Sequence, residues 1–325
     1  MKKPQKEEFL DLGLGNRNTA KGERMVNPDG SFNVERRGLS YFEERGFYHW
    51  LISMPWGKFG FLLIVGYLVL NFVFASLYYL AGLDGLDGMR AASFSGKFME
   101  AFFFSAQTFT TVGYGRINPT GFWTNIIASI ESMGGLMAFA LATGILYGRF
   151  SRPNAKILFS ENAVIAPYRN MNAFMFRIAN QRRNQLIEIE ITLTYSFVNS
   201  QDRSKREFRG LDLERRTVNF FPTTWTIVHP ITDDSPMKGM TWQDFIDKEV
   251  EILILIKAFD DTFSQTVYKR SSYKAEDIIV GAKFNIILGV NSKGVTTVDL
   301  HRINEHERVD LQVPILIEKE ASEKG

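Results

Sequence analysis

Thr110-Thr111-Val112-Gly113-Tyr114-Gly115 lies in the gap between two long apolar stretches, and the reading of this gap decides the fold. Upstream, Phe59 to Leu80 (FGFLLIVGYLVLNFVFASLYYL) is almost uninterrupted apolar sequence, long enough at 1.5 Å per residue to cross a bilayer's hydrocarbon core. Trp56 and Lys58 at its start, and Tyr78 and Tyr79 at its end, suit the two interfaces, so an outer helix is expected over 56–80. Downstream, Trp123 to Tyr147 is a second spanning segment, with helix expected over 123–150. It is richer in small residues, which permit close packing and befit an inner helix, and it carries one acid, Glu131. Counted from Ser132 at helical spacing, Gly135, Phe139, Thr143 and Tyr147 fall on one face. Between the spans, Phe98 to Phe109 (FMEAFFFSAQTF) is apolar but too short to cross, the length expected of a re-entrant half-helix.

The 325 residues allow two or three domains, and the hydrophobic share of 45% hides a sharp split. Apolar residues concentrate between Phe59 and Tyr147, and the remainder reads as a soluble protein. A formal charge of +2 is too balanced to argue for nucleic acid as a partner. With no cysteine and four histidines, neither thiol chemistry nor a His-rich metal centre is expected, and no cofactor is implied. Residues 1–38 are polar, lack the apolar core of a secretory signal, and are expected to form a segment flexible for much of its length. Leu39 to Ile52 (LSYFEERGFYHWLI) mixes aromatics with charges just before the membrane, which predicts an interfacial amphipathic helix within 39–55.

Basic residues flank the pair of spans: Arg36, Arg37, Arg45 and Lys58 before the first, Arg149, Arg152 and Lys156 after the second. The positive-inside rule then puts both termini in the cytoplasm of a multi-pass protein of the cell membrane. From about Ile157 the pattern changes to short alternating runs. Leu186 to Phe197 alternates at Ile187, Ile189, Ile191 and Leu193, and Glu251 to Phe259, Lys283 to Gly289 and Gly294 to Leu300 read as further strands. Strands at this spacing predict an antiparallel β-sandwich over 151–325, and no Gly-rich strand–helix loop supports a nucleotide-binding fold.

Thr111-Val112-Gly113-Tyr114-Gly115 resembles the selectivity filter of potassium channels. The physical logic is that a dehydrated cation needs a cage of oxygens, which backbone carbonyls supply when they all point one way. Gly113 and Gly115 tolerate the required conformations without a Cβ clash. Val112 and Tyr114 would then face away and wedge the cage against the half-helix, whose C-terminal dipole points at the ion. One chain supplies a quarter of such a ring, so a homotetramer is implied. A chance β-turn is the competing reading of the motif alone.

Further runs make the likeness specific: Leu158-Phe159-Ser160-Glu161-Asn162-Ala163-Val164-Ile165-Ala166, Thr226-Ile227-Val228-His229-Pro230-Ile231, Asp234-Ser235-Pro236 and Arg270-Ser271-Ser272-Tyr273. From about Phe32 onward the chain resembles the prokaryotic branch of the inward rectifier potassium channels. The resemblance implies a two-span α-helical pore over 56–150 and a cytoplasmic immunoglobulin-like β-sandwich. It implies K⁺ held at Thr111, Val112, Gly113 and Tyr114, with Gly115 closing the filter. Gly135 falls on the hinge glycine of the inner helix, though a small residue needed for packing reads equally well. Phe139 and Tyr147 fall where four aromatics narrow the pore and stop ions by dewetting. Arg149 and Arg152 occupy positions that meet anionic headgroups, phosphoinositides included, with Arg37, Lys58 and Lys156 as further candidates.

Departures from the family pattern matter as much. The inner-helix acid of strong rectifiers is Phe139 here, and of two cytoplasmic acids Glu188 is kept while the other aligns with Lys257. Weak rectification at most is expected, with Mg²⁺, Ba²⁺ or polyamines as blockers. The acid behind the filter is Gln107 and its basic partner is Ile117, so Glu131 is expected to support the filter from the inner helix. Two other readings stay open: a less selective cation pore, and a β-sandwich binding protein that the spans merely anchor.

Overall fold

The computed structural model describes residues 8–9, 23–35, 38, 46–151, 155–182, 185–221 and 223–311. The chain divides into two units, one of residues 37–152 and one of 1–36 with 153–325.

The first unit is helical. Its elements are α1 (Phe47–Ser53), α2 (Trp56–Ala81), α3 (Phe94–Phe109) and α4 (Phe122–Phe150). α2 and α4 are each long and apolar enough to cross a membrane. Pro55 stands at the N-cap of α2, where its missing N–H is no loss, and Gly82 ends the helix with φ 98°. The half-helix is longer than the apolar pattern suggests. Ser93 caps it by accepting from the Gly96 N–H, so the polar turn Phe94–Lys97 is helical too. A short ladder of β2 (Leu86–Asp87) on β3 (Asn118–Pro119) joins the loops on either side of α3. Ala75, Tyr78, Ala101, Phe104, Ile117 and Ala128 form the buried centre of the unit. Of the stretch expected to form a helix within 39–55, the seven residues of α1 are helical, and 39–45 lie outside the described residues.

The second unit is a β-sandwich. After β1 (Glu8–Phe9), its strands are β4 (Ile157–Phe159), β5 (Ala163–Tyr168), β6 (Met171–Asn180), β7 (Leu186–Val198), β8 (Arg206–Leu211), β9 (Thr217–Phe220), β10 (Thr224–Pro230), β11 (Glu251–Asp260), β12 (Gln265–Lys274), β13 (Ile278–Val280) and β14 (Ala282–Phe284). β15 (Leu288–Val290), β16 (Thr296–Val298) and β17 (His306–Arg308) complete them. One sheet runs β1-β8-β7-β11-β12 with β9 also on β7; the other runs β10-β6-β5-β13 with β4 also on β6. Phe174, Phe176 and Ile178 of the second sheet meet Ile189, Ile191, Tyr195, Ile252 and Ile254 of the first in the core. Pairing is antiparallel except for β13 on β5.

Two sequence expectations need correction. Lys283 to Gly289 is not one strand, because β14 pairs with β17 and β15 with β16, so the chain changes partner between them. Nor does β7 alternate strictly. Glu188 has φ 50° and sits beside a register shift opposite Lys257/Phe259, a bulge that turns Leu186 inward and leaves Ile187 only half-buried.

The expectation of a flexible leader is also corrected for 23–35; residues 1–7 and 10–22 lie outside the described ones. Glu251, fully buried, accepts the Met25 and Val26 N–H groups. Ser272 and Ser271 donate to Val26 O and Pro28 O, and Arg24 forks onto Asp277 at 2.7 and 2.6 Å. A polar strap carries no hydrophobic periodicity, which is why the pattern did not reveal it.

Candidate functional site

The loop after α3 begins by using the carbonyls that a helix end leaves free. Thr110, Thr111 and Val112 donate their N–H groups to Ala106 O, Thr108 O and Gln107 O at 3.3, 3.0 and 2.9 Å. Then handedness alternates. Thr111, Gly113 and Gly115 have φ of 61°, 51° and 79°, whereas Val112 and Tyr114 between them do not enter the left-handed region. Alternating conformations turn successive N–H groups to one side and carbonyls to the other. A row of same-facing oxygens needs an alternation of this kind. A Cβ at Gly113 or Gly115 would meet nothing within 4 Å, so conformation rather than crowding calls for glycine there. Thr111 shares the unusual conformation without being glycine, at a cost of about 1–2 kcal/mol.

Within one chain the loop stands open. Val112 is 53% and Tyr114 79% exposed, so the expected wedge against the half-helix is not made by the chain's own α3.

Beneath the loop, Glu131 of α4 is fully buried and joins three helices. Tyr78 of α2 donates to its Oε2 at 2.6 Å, and Ser105 of α3 donates to its Oε1. Ser105 Oγ also stands 3.1 Å from Asn71 Oδ1, and Asn71 Nδ2 donates to Tyr67 O at 2.7 Å. Glu131 thus ties α2, α3 and α4 to one another, while Gln107 reaches the loop through its carbonyl, the acceptor of the Val112 N–H. Tyr78 was read as an interfacial aromatic; it is buried instead, because its hydroxyl has the carboxylate as acceptor.

The residues grouped on one face of α4 separate. Gly135 lies on the buried stripe with Thr124, Ala128, Glu131 and Arg149. A Cβ there would meet Phe109 O at 2.0 Å, so the close approach of α4 to the end of α3 requires its absence. The packing reading of Gly135 describes its surroundings, and it does not share the outlook of the exposed Phe139, Thr143 and Tyr147 or the half-buried Ser132.

Arg149 corrects the headgroup reading. It is 9% exposed; Nη1 donates to Leu51 O at 2.5 Å and Nη2 to Met54 O at 2.7 Å. Its guanidinium also lies 4.5 Å from the rings of both Trp56 and Phe59. It thus ties the C-terminal end of α1 to α4, where carbonyls and rings replace lipid phosphate as partners. Lys58 and Lys156 are exposed, whereas Arg37 and Arg152 lie outside the described residues.

In the second unit Glu188 and Lys257 are both exposed, with Lys257 opposite Glu190 in the ladder. His229 is buried, its Nδ1 2.6 Å from Asp212 O and its Nε2 2.8 Å from Ser235 Oγ. A carbonyl can only accept, so Nδ1 carries the proton, a structural arrangement.

Sequence reasoning did not single out Glu100. Its carboxylate accepts from the Arg90 and Ala91 N–H groups and from Nη1 of Arg116, the residue after Gly115. Glu100 and Arg116 are sixteen positions apart, and no local spacing links them.

Known proteins resemble this chain over both units. The family model of the inward rectifier potassium channel C-terminal domain matches residues 157–324, and an ion channel model matches 62–152. The inward rectifier potassium channel Kirbac3.1 of Paramagnetospirillum magnetotacticum is 35% identical over 292 residues, which cover 88% of this chain and 96% of that one. The ATP-sensitive inward rectifier potassium channel 12 of Gallus gallus is 24% identical, covering 82% of this chain and 67% of that one. The G protein-activated inward rectifier potassium channel 2 of Mus musculus is 25% identical, with 94% and 76% covered.

Proposed function

This chain belongs to the inward rectifier potassium channel family, membrane proteins that conduct K⁺ and are not enzymes, and from that premise we propose that four copies meet about one axis and form its filter from Thr111, Val112, Gly113 and Tyr114. The observation that carries this reading is the alternation of handedness at Thr111, Gly113 and Gly115 directly after a half-length helix. In the tetramer each K⁺ exchanges water for main-chain oxygens and is moved on by repulsion from the next ion. Val112 and Tyr114, open on one chain, are covered by neighbouring copies.

Phe139 and Tyr147 form the dewetting gate, since both are large, apolar and exposed along α4. Both termini face the cytoplasm, with Lys58 and Lys156 near the inner leaflet and able to meet anionic lipid. Arg149 acts there as a tether between α1 and α4 instead of a headgroup ligand. Rectification is weak, because Phe139 offers no charge to Mg²⁺ or polyamines. Radioactive rubidium uptake into liposomes containing the purified protein tests the whole reading. Uptake should be competed by K⁺, blocked by Ba²⁺ and left untouched by Na⁺. Equal competition by Na⁺, or a monomer in detergent and bilayer alike, would overturn it. Phosphoinositide added to the same liposomes reads the direction of lipid control.

A further inference from the structure

The far end of the filter, at Gly115, is anchored more heavily than a row of carbonyls requires, and the anchoring converges on one carboxylate. Glu100 Oε2 accepts the N–H groups of Arg90 and Ala91 at 2.9 and 3.1 Å, in the loop before α3. Its Oε1 accepts from Arg116 Nη1 at 2.9 Å, and Arg116 directly follows Gly115. A single side chain on α3 therefore joins the preceding loop to the segment that leaves the filter. Other contacts hold the same junction. A Cβ on Gly88 would meet Arg116 O at 1.8 Å, so the loop backbone lies against that carbonyl. Asn118 Nδ2 donates to Gly115 O at 2.9 Å, and β2 pairs with β3 just beyond.

We propose that Glu100 is a positioning residue for ion selectivity: through Arg116 it fixes where Gly115 ends the filter, and it balances the positive charge that Arg116 sets beside the ion path. This rests on the filter reading above. An ion pair whose side chains are 16% and 44% exposed contributes little by itself. The two backbone amides make the difference, because they need an acceptor at position 100 and lose it when the carboxylate is removed. Brace and charge can therefore be separated by mutation. Neither Gln107 nor Ile117 carries a charge, whereas Glu100 and Arg116 form an ion pair between α3 and the residue after Gly115.

The test is rubidium uptake by the full-length chain in liposomes, with Na⁺ as competitor and the tetramer checked by size-exclusion chromatography. Glu100→Ala should lose about tenfold in discrimination of rubidium over sodium, since it cuts the tie of two amides to α3 and frees Arg116. Glu100→Gln keeps an acceptor for the amides and should lose less, about threefold. The double variant Glu100→Ala with Arg116→Ala restores the charge balance but not the brace, and should regain only part of the lost selectivity. Full recovery in the double variant would reduce the effect to charge and overturn the positioning role. Unchanged selectivity in Glu100→Ala would overturn it as well. If Glu100→Ala does not assemble, Arg116→Ala keeps the amides anchored and severs only the link to Gly115. It should lose selectivity in part, and no loss would again overturn the proposal. Wild-type protein that passes sodium as readily as rubidium would instead remove the filter reading itself.

Discussion

At the scale of single residues, the site depends on polar groups whose partners lie on other helices. Glu131 is the plainest case, since its carboxylate is the shared acceptor of Tyr78 and Ser105 in a fully buried place. Glu131→Ala leaves two hydroxyls without that acceptor, each worth about 1–3 kcal/mol when unsatisfied. The protein should then melt at a distinctly lower temperature in detergent, and rubidium uptake should fall with it. Tyr78→Phe removes one hydroxyl and its desolvation together, so a loss of about 1 kcal/mol is expected. Equal melting of Glu131→Ala and wild type would show that the tie contributes nothing. The acid itself was legible in the sequence, because an ionisable residue in a span signals a paired role. Its partners were not. A tyrosine near a span's end reads as an interfacial anchor, and an arginine just past the second span reads as a headgroup ligand. Tyr78 and Arg149 have those positions but turn inward, toward acceptors that no local spacing announces.

At the scale of elements, what could be read depended on how many faces an element buries. The spans and the half-helix followed from length and hydropathy, and β11 from its run of aliphatic residues. β6 was missed because both its faces are covered: Phe174, Phe176 and Ile178 enter the main core, while Ala173 and Met175 lie under Ala282 and Phe284. Such a strand has no alternation to detect. β12 was missed for the opposite reason, since Ser271 and Ser272 are polar residues buried by hydrogen bonds to the strap and leave no apolar run to detect. The contact of α4 with α3 yields a sharp test at this scale. Gly135→Ala would put a methyl 2.0 Å from Phe109 O, so the helices must part where α3 ends. Overpacking of this kind costs about 1–3 kcal/mol and should reduce discrimination against sodium along with stability. Gly134 has nothing within 4 Å of its Cβ position, and Gly134→Ala should be neutral or slightly stabilising. A glycine acting only as a hinge would behave otherwise: Gly135→Ala would alter open probability and leave the rubidium-to-sodium ratio unmoved.

For the whole molecule, the question is whether the two units share one ion path, and the charges on β7 and β11 allow it to be asked. Glu188, Glu190 and Lys257 lie on the sheet face turned away from the sandwich core, with Lys257 opposite Glu190 and Arg216 3.5 Å from Glu190. Basic groups thus offset the acids that would draw a polyamine in, and α4 offers Phe139 where an acid would hold one. Outward current should therefore pass in the presence of internal spermine with little voltage-dependent block. Lys257→Glu changes each chain by two charge units on that face, and the change acts four times in a tetramer. Spermine should then block at about tenfold lower concentration, an effect that weakens as salt is raised. Fluorescence melting of the variant would confirm that the sandwich is intact, as expected for an exposed residue. If block is unchanged while the protein folds and conducts, this face lies away from the permeating ions, and the sandwich serves the channel without lining its path.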